Sequence, residues 1–133
     1  LRKLDVTGIV FQPSRGPNLL RPLAETLTEL RWGKAMLDAI PDEVFDLRRL
    51  RVLRLNDNHI GVLSPAVARL VELDELDLTN NDLGTLPPEL GLLTGLRWLG
   101  VEGNMLRMIR RPVIERGTKA LLEYLRDKLP GTE

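Results

Sequence analysis

The stretch LDELDLTNNDLGTLPPELGLLTGL, residues 73–96, decides how the rest of the chain is read. Leu73, Leu76, Leu78, Asn81 and Leu83 fill the pattern L-x-x-L-x-L-x-x-N-x-L. The pattern restarts at Leu96, where Leu99, Val101, Asn104 and Leu106 take the same slots. It has already run once from Leu50, through Leu53, Leu55, Asn58 and Ile60. The three starts, 50, 73 and 96, lie 23 residues apart. Each unit has an apolar side that only its neighbours can hide, so the chain is expected to wind into stacked turns. Slots one, four, six and eleven converge on the inside, and each leucine buried there contributes roughly 1.5–3 kcal/mol.

Working outward, two less regular turns precede these three. The first is LRKLDVTGIVF, in which Leu1, Leu4 and Val6 take strand slots but Ile9 stands where asparagine belongs. Pro13, Gly16, Pro17 and Pro22 then mark an outward loop over residues 12–22. The second turn begins at Leu27. Leu30, Trp32 and Leu37 fill the inward slots and Ala35 replaces the asparagine. Strands are expected to start near 1–4, 27–30, 50–53, 73–76 and 96–99. On the return side, Ile40, Val44 and Leu47 correspond to Leu63, Val67 and Leu70, and to Leu86, Leu90 and Leu93. Pro41 followed by Asp42 and Glu43 signals a helix start, as do Pro65 and Pro88, because a first-turn proline removes only an N–H that had no partner.

An asparagine side chain carries two donors and an acceptor, so it can bond backbone where the chain bends away from the strand. Asn58, Asn81 and Asn104 are therefore expected to form a structural ladder. Ile9 and Ala35 cannot join it, so backbone near them needs water or other partners, and the first two turns are expected to be the looser end. The repeats occupy residues 1–117. Residue 119, where another strand would begin, is a lysine. Instead Pro112 can open a short helix that Gly117 ends. Thr118 can then cap a helix over 118–130, in which Leu121, Leu122, Leu125 and Leu129 recur at helical spacing. Such a helix would close the core, as repeat arrays require.

The repeats resemble the leucine-rich repeat class. The segment GNMLRMIRRPVIERGTKALLEYLRDKL resembles the carboxy-terminal end of its cytosolic members. It resembles that of leucine-rich repeat-containing protein 40 and the plant intracellular Ras-group repeat proteins, whose pattern reads GNPxRxxxxxxIxxGTxxxLxYLR. Gly103, Asn104, Arg107, Ile114, Gly117, Thr118, Leu122, Tyr124, Leu125 and Arg126 match it, and Met105 replaces its proline. The resemblance implies a right-handed α/β solenoid with a parallel sheet lining its concave face, acting as an intracellular binding scaffold. It carries over no catalytic residue.

Composition narrows the function classes. The 133 residues are 43% hydrophobic, and nineteen basic residues balance nineteen acidic ones, which argues against a general nucleic-acid or membrane-surface binder. There is no cysteine and no Asn-x-Ser/Thr acceptor, which fits a reducing, cytoplasmic setting. No apolar run approaches the roughly 20 residues of a membrane span, and no signal peptide stands out. The chain begins inside a repeat without an initiator methionine, so a fragment is expected, with further repeats or another chain at its amino-terminal edge. His59 is the single histidine and reads as a solvated loop residue. With no cysteine beside it, metal clusters and thiol catalysis lack their groups. Ser14 and Ser64 lack a nucleophile-elbow context, and Gly33-Lys34-Ala35 fails as a phosphate loop at its last residue. No enzymatic activity, cofactor or metal is expected.

A protein partner is expected on the concave face. Strand side chains alternate, so slots three, five and seven point outward. Parallel strands about 4.8 Å apart stack these slots in rows. Lys3, Glu29, Val52, Glu75 and Trp98 form one row. Asp5, Arg31, Arg54, Asp77 and Gly100 form the second. Thr7, Gly33, Asn56, Thr79 and Glu102 form the third. The candidate partner-binding set is Glu29, Arg31, Val52, Arg54, Asn56, Glu75, Asp77, Thr79, Trp98 and Glu102. Trp98 reads either as an interface anchor or as a ring folded over its neighbours or under the last helix, with Tyr124 in reach. Arg54 beside Asp77 suggests a surface ion pair worth under about 1 kcal/mol. Arg48, Arg49 and Arg51 read as solvated. Arg107, Arg110, Arg111 and Arg116 serve either helix-end carbonyls or an acidic partner. Two other readings stand beside this one. The chain could be a structural piece of a larger assembly, or the substrate-recruiting arm of a ubiquitin ligase or kinase.

Overall fold

A computed structural model of the chain describes residues 2–8, 20–107 and 109–129. Five short strands form one parallel sheet in chain order: β1 Lys3–Asp5, β2 Glu29–Arg31, β3 Val52–Arg54, β4 Glu75–Asp77 and β5 Trp98–Gly100. The register is slot on slot, with Leu30, Leu53, Leu76 and Leu99 side by side. Each strand contributes only three residues, slots three to five, with the slot-four leucine buried. The return halves form 3₁₀ turns at Asp42–Asp46, Pro65–Arg69 and Pro88–Leu92. At the second of these, Ser64 Oγ accepts from the Ala66 N–H, and Pro65 fills the first position. The loop read over 12–22 lies largely outside the described residues, and Arg21–Leu23 form another 3₁₀ turn.

The core runs as one column along the stack. Leu30, Leu53, Leu55, Leu76 and Leu78 are fully buried, and so are Val67, Leu70 and Leu90 behind them. Trp32 is buried in its inward slot. Phe45 is buried too, although the return-side pattern did not single it out. Its slot holds Ala68 in the next turn and Gly91 in the last, a taper whose consequence appears at the carboxy-terminal end.

The asparagine side chains reach backwards, each into the turn before its own. Asn58 Oδ1 accepts from the Ala35 N–H at 2.9 Å and the Leu37 N–H at 3.0 Å. Its Nδ2 donates to Trp32 O and to Leu55 O, both at 3.0 Å. Asn81 accepts from the Ile60 N–H and donates to Leu55 O and Leu78 O. Asn104 accepts from the Leu83 N–H and donates to Leu78 O and Val101 O. The backbone around Ala35 therefore takes its partner from the following turn, not from water. β1 and its loop are joined to the next turn by main-chain bonds such as Val6 N–H to Arg31 O and Gly8 N–H to Gly33 O.

One slot escaped the sequence reading. The eighth residue of every turn has positive φ: Gly8, Lys34, Asp57, Asn80 and Gly103. This left-handed residue turns the chain inward so that the ninth side chain can face the core. Glycine, asparagine and aspartate tolerate that conformation. Lys34, at φ 50°, does not fit the set, and Met36 in the same loop is also left-handed at φ 57°. Replacing Lys34 by asparagine should raise the urea midpoint, a gain of about 0.5–1 kcal/mol with unchanged m-value. A lowered midpoint would contradict this reading of the slot.

The stack ends in two helices, α1 Arg111–Glu115 and α2 Thr118–Arg126. α2 buries Leu121, Leu122 and Leu125 against the last 3₁₀ turn. Its helical part is shorter than the 118–130 read from the sequence. Thr118 does not cap it. The residue before the helix is Gly117 at φ 101°, with no side-chain cap. The Thr118 hydroxyl instead accepts from the Leu99 N–H at 2.9 Å, tying the helix start to the edge of β5.

Candidate functional site

The outward rows of the sheet are set by the register. Glu29, Val52, Glu75 and Trp98 are laterally paired, as are Arg31, Arg54, Asp77 and Gly100. Charge runs diagonally between these rows. Arg31 Nε donates to Glu29 Oε2 at 2.8 Å, and Arg54 donates an Nη proton to Glu75 Oε2 at 3.2 Å. The expected Arg54–Asp77 pair is not formed. Asp77 is only 8% exposed, and its Oδ1 accepts from both the Thr79 N–H and the Thr79 hydroxyl. The carboxylate is held by the bend that follows its own strand, which leaves Glu75 as the partner within reach of Arg54. Asp5 and Thr7 repeat this motif one end away. Bonds from the Thr7 hydroxyl and amide, with Arg31 nearby, hold the Asp5 carboxyl below its ordinary value.

Two outward side chains lie flat on glycines. A Cβ on Gly100 would stand 2.6 Å from Trp98 Cη2 and 3.1 Å from Thr79 Cγ2, so the indole ring covers Gly100. Trp98 nevertheless stays 42% exposed. It is folded over its neighbour and presented to solvent at once. Tyr124, the other ring considered for it, has Lys128 Nζ 5.0 Å from its centroid. Asn56 lies across Gly33 in the same way, and its Nδ2 donates to Asp57 Oδ2. Asn80 Nδ2 in turn donates to Asp57 Oδ1, so the loop margin carries its own polar row. Thr79 is half-buried against this margin, and Glu102 is exposed at its end.

The candidate residues thus fall into two sorts. Asp77, Thr79 and Asn56 are committed to the fold's own bends, while Glu29, Arg31, Arg54, Glu75, Val52 and Trp98 hold adjacent outward positions of the sheet and Glu102 is exposed beyond it. Arg48, Arg49 and Arg51 are exposed, and Arg51 Nη1 lies 3.9 Å from Asp74. His59 is exposed beside Asp82. Among the described residues no three acidic or histidine side chains come together as metal ligands. No helix among them is long and apolar enough to cross a membrane.

The Leucine rich repeat family model matches residues 25–83 and again 48–106, spanning most of the five-turn stack. The chain belongs to the leucine-rich repeat family. Three solved leucine-rich repeat structures show how widely the fold extends. A protein of Leptospira interrogans is 28% identical, with a TM-score of 0.67 over 90% of this chain. An internalin of Listeria monocytogenes is 29% identical, with a TM-score of 0.60 over 78%. The leucine-rich repeat ectodomain of the membrane receptor kinase GASSHO1/SCHENGEN3 from Arabidopsis thaliana is 25% identical, with a TM-score of 0.62 over 78%. That ectodomain was solved in complex with CASPARIAN STRIP INTEGRITY FACTOR 2. The chain spans 27%, 29% and 13% of those three chains respectively. Leucine-rich repeat domains are in general protein–protein interaction modules, and the fold is typically non-enzymatic.

Proposed function

We propose that this leucine-rich repeat chain is a non-enzymatic scaffold that binds a protein partner on its outward sheet face. One observation carries the reading. Trp98, Val52 and the Glu29–Arg31 and Arg54–Glu75 pairs share one sheet face, and Trp98 remains 42% exposed despite covering Gly100. Aromatic and arginine side chains of this kind supply most of the energy at protein interfaces. The receptor ectodomain with its bound factor shows a relative of the fold in complex. A reducing, cytoplasmic setting is supported by the lack of cysteine and by the likeness of the last segment to cytosolic members.

The test is a pull-down followed by titration with Trp98→Ala, Arg54→Ala and Glu75→Ala. Asp77 is left intact because it holds its own bend. Each folded variant should weaken the captured partner, with Trp98→Ala costing about 2 kcal/mol, roughly thirtyfold in Kd. Folded variants that hold every partner as tightly as the parent would place the site elsewhere.

A second reading is favoured by the opposite end. Leu4 and Val6 occupy inward slots yet are only half-buried, whereas Leu53 and Leu76 are fully covered. Further repeats or another chain against β1 would cover them. The chain would then be a structural part, or the recruiting arm of an enzyme such as a ligase or kinase.

A further inference from the structure

The last strand lacks a neighbour on one side. In the turn before it, the Leu78 N–H donates to Gly100 O and the Asn80 N–H to Glu102 O, both at 2.8 Å. One turn earlier, the Leu55 and Asp57 N–H groups donate in the same way to Asp77 O and Thr79 O. The equivalent donors at the end of the stack are the N–H groups of Val101 and Gly103. No strand follows β5, and among the described residues no acceptor takes either of them. The chain itself serves the donor before these two. The Leu99 N–H donates to the Thr118 hydroxyl at 2.9 Å, an oxygen that takes the place of a strand carbonyl. Two acceptor places are left on the edge, two residues apart and so separated by about 7 Å.

An open cleft of about 1160 Å³ lies beside this edge. It continues the sheet face proposed for the partner, because Thr79, Trp98, Gly100 and Glu102 line it as well. Its inner wall is apolar: Val101, Ile109 and Leu121 are buried there, and α1 contributes the half-buried Ile114. The charges in its lining cancel. Arg107 and Arg111 stand against Glu102 and Glu115, and Arg111 pairs with Glu115 at 3.4 Å. Charge therefore gives the cleft no preference between an acidic and a basic occupant, and a charge pressed against the apolar wall would lose its water. Main chain and apolar contact are what remain to select one.

We infer that the partner on the sheet face reaches into this cleft with a short extended segment, whose two carbonyls accept from the Val101 and Gly103 N–H groups. The inference rests on the sheet-face reading and names what the partner presents. Alternate side chains of an extended segment take opposite sides. The residue between the two paired carbonyls then faces Val101, Ile109 and Leu121, and is apolar. The residues on either side of it face outward, beside Gly100 and Glu102. Gly100 has no side chain, so the first of these meets the Trp98 ring that lies over the glycine. Main-chain pairing supplies affinity in strand additions of this kind, and contacts to alternate side chains supply specificity.

The probe is a heptapeptide alternating serine and valine, blocked at both ends, titrated into the isotope-labelled chain and read by amide shifts and hydrogen exchange. Binding should slow exchange at the Val101 and Gly103 amides about tenfold at saturation, while the Leu78 amide, already paired, changes little. A serine–glycine heptapeptide should not bind. Glutamate–valine and lysine–valine forms should bind within about threefold of each other. Val101→Pro removes a donor that the free chain leaves unused, and should weaken the serine–valine peptide about tenfold. No binding, binding that leaves both amides unprotected, or equal binding by the serine–glycine form overturns the proposal. So does undiminished affinity in a folded Val101→Pro protein; if that variant unfolds, protection of the two amides in the parent decides. Arg54→Ala/Glu75→Ala lies outside the cleft lining and separates the two readings. It should leave peptide binding unchanged, and lost binding would move the peptide to the sheet face, against the proposal. If this folded variant still holds the captured partner as tightly as the parent, the sheet-face reading falls and the peptide result stands. If it weakens the partner while the peptide never binds, only the strand addition falls.

Discussion

Asn58→Ala is expected to destabilise the chain by about 3 kcal/mol, read as a drop in urea midpoint at unchanged m-value. The side chain is only 4% exposed. Its removal leaves the Ala35 and Leu37 N–H groups without their acceptor, and Trp32 O and Leu55 O without one of their donors. A buried polar group stripped of its partner costs about 1–3 kcal/mol, and several are stripped at once, although relaxation and water recover part of that. Asn104→Ala is the internal comparison. Asn104 donates in the same way but accepts from one N–H, that of Leu83, where Asn58 accepts from two, and it is half-buried, so water can replace it. Its loss should cost about 1 kcal/mol. Equal effects at the two positions would mean that burial does not set the value of these bonds. Asn58 also links the irregular second turn to the regular third, so hydrogen exchange should quicken most at residues 32–37.

Gly91→Val should detach the carboxy-terminal helix. A Cβ at this position would stand 2.6 Å from Arg126 N, 2.7 Å from Leu122 O and 2.9 Å from Arg126 Cα. All three are backbone atoms of α2, so no side chain can swing aside. The helix must lift, and it then loses the burial of Leu121, Leu122 and Leu125 and the Arg126 bond to Gly91 O. Overpacking alone costs about 1–3 kcal/mol. With the helix displaced, the expected loss is about 3–4 kcal/mol, together with lost helical circular dichroism and raised exchange over residues 121–126. Gly84→Ala is the control, because nothing lies within 4 Å of a Cβ there. A Gly91→Val protein with native helicity and midpoint would show that α2 does not rest on this glycine.

These two positions illustrate what makes a five-turn stack cohere. The leucine column supplies most of the favourable energy but is tolerant, since any apolar residue of similar volume fills an inward slot. The asparagines and Gly91 are not tolerant. Each meets backbone, whose donors and shape cannot be rearranged without moving a whole turn. The eighth slot belongs with them, because the left-handed residue there aims the ninth side chain. A sequence reader could have found that slot from Gly8, Asp57, Asn80 and Gly103, residue types that share tolerance of positive φ.

The sequence by itself determined the coil, its period, its inward column and the position of the asparagines. These are local and periodic properties, repeated at each turn and legible in any one of them. The carboxy-terminal helix was legible too, because leucines change there from strand slots to helical spacing. Tertiary structure alone decided which groups meet. Arg54 pairs with Glu75 rather than Asp77 because the Thr79 bend had already taken the Asp77 carboxylate. Thr118 serves the edge of β5 instead of its own helix, and Asn58 serves the turn behind it. Each of these is a contact between turns, chosen by distance and competition for donors, and spacing along one chain carries no record of that competition.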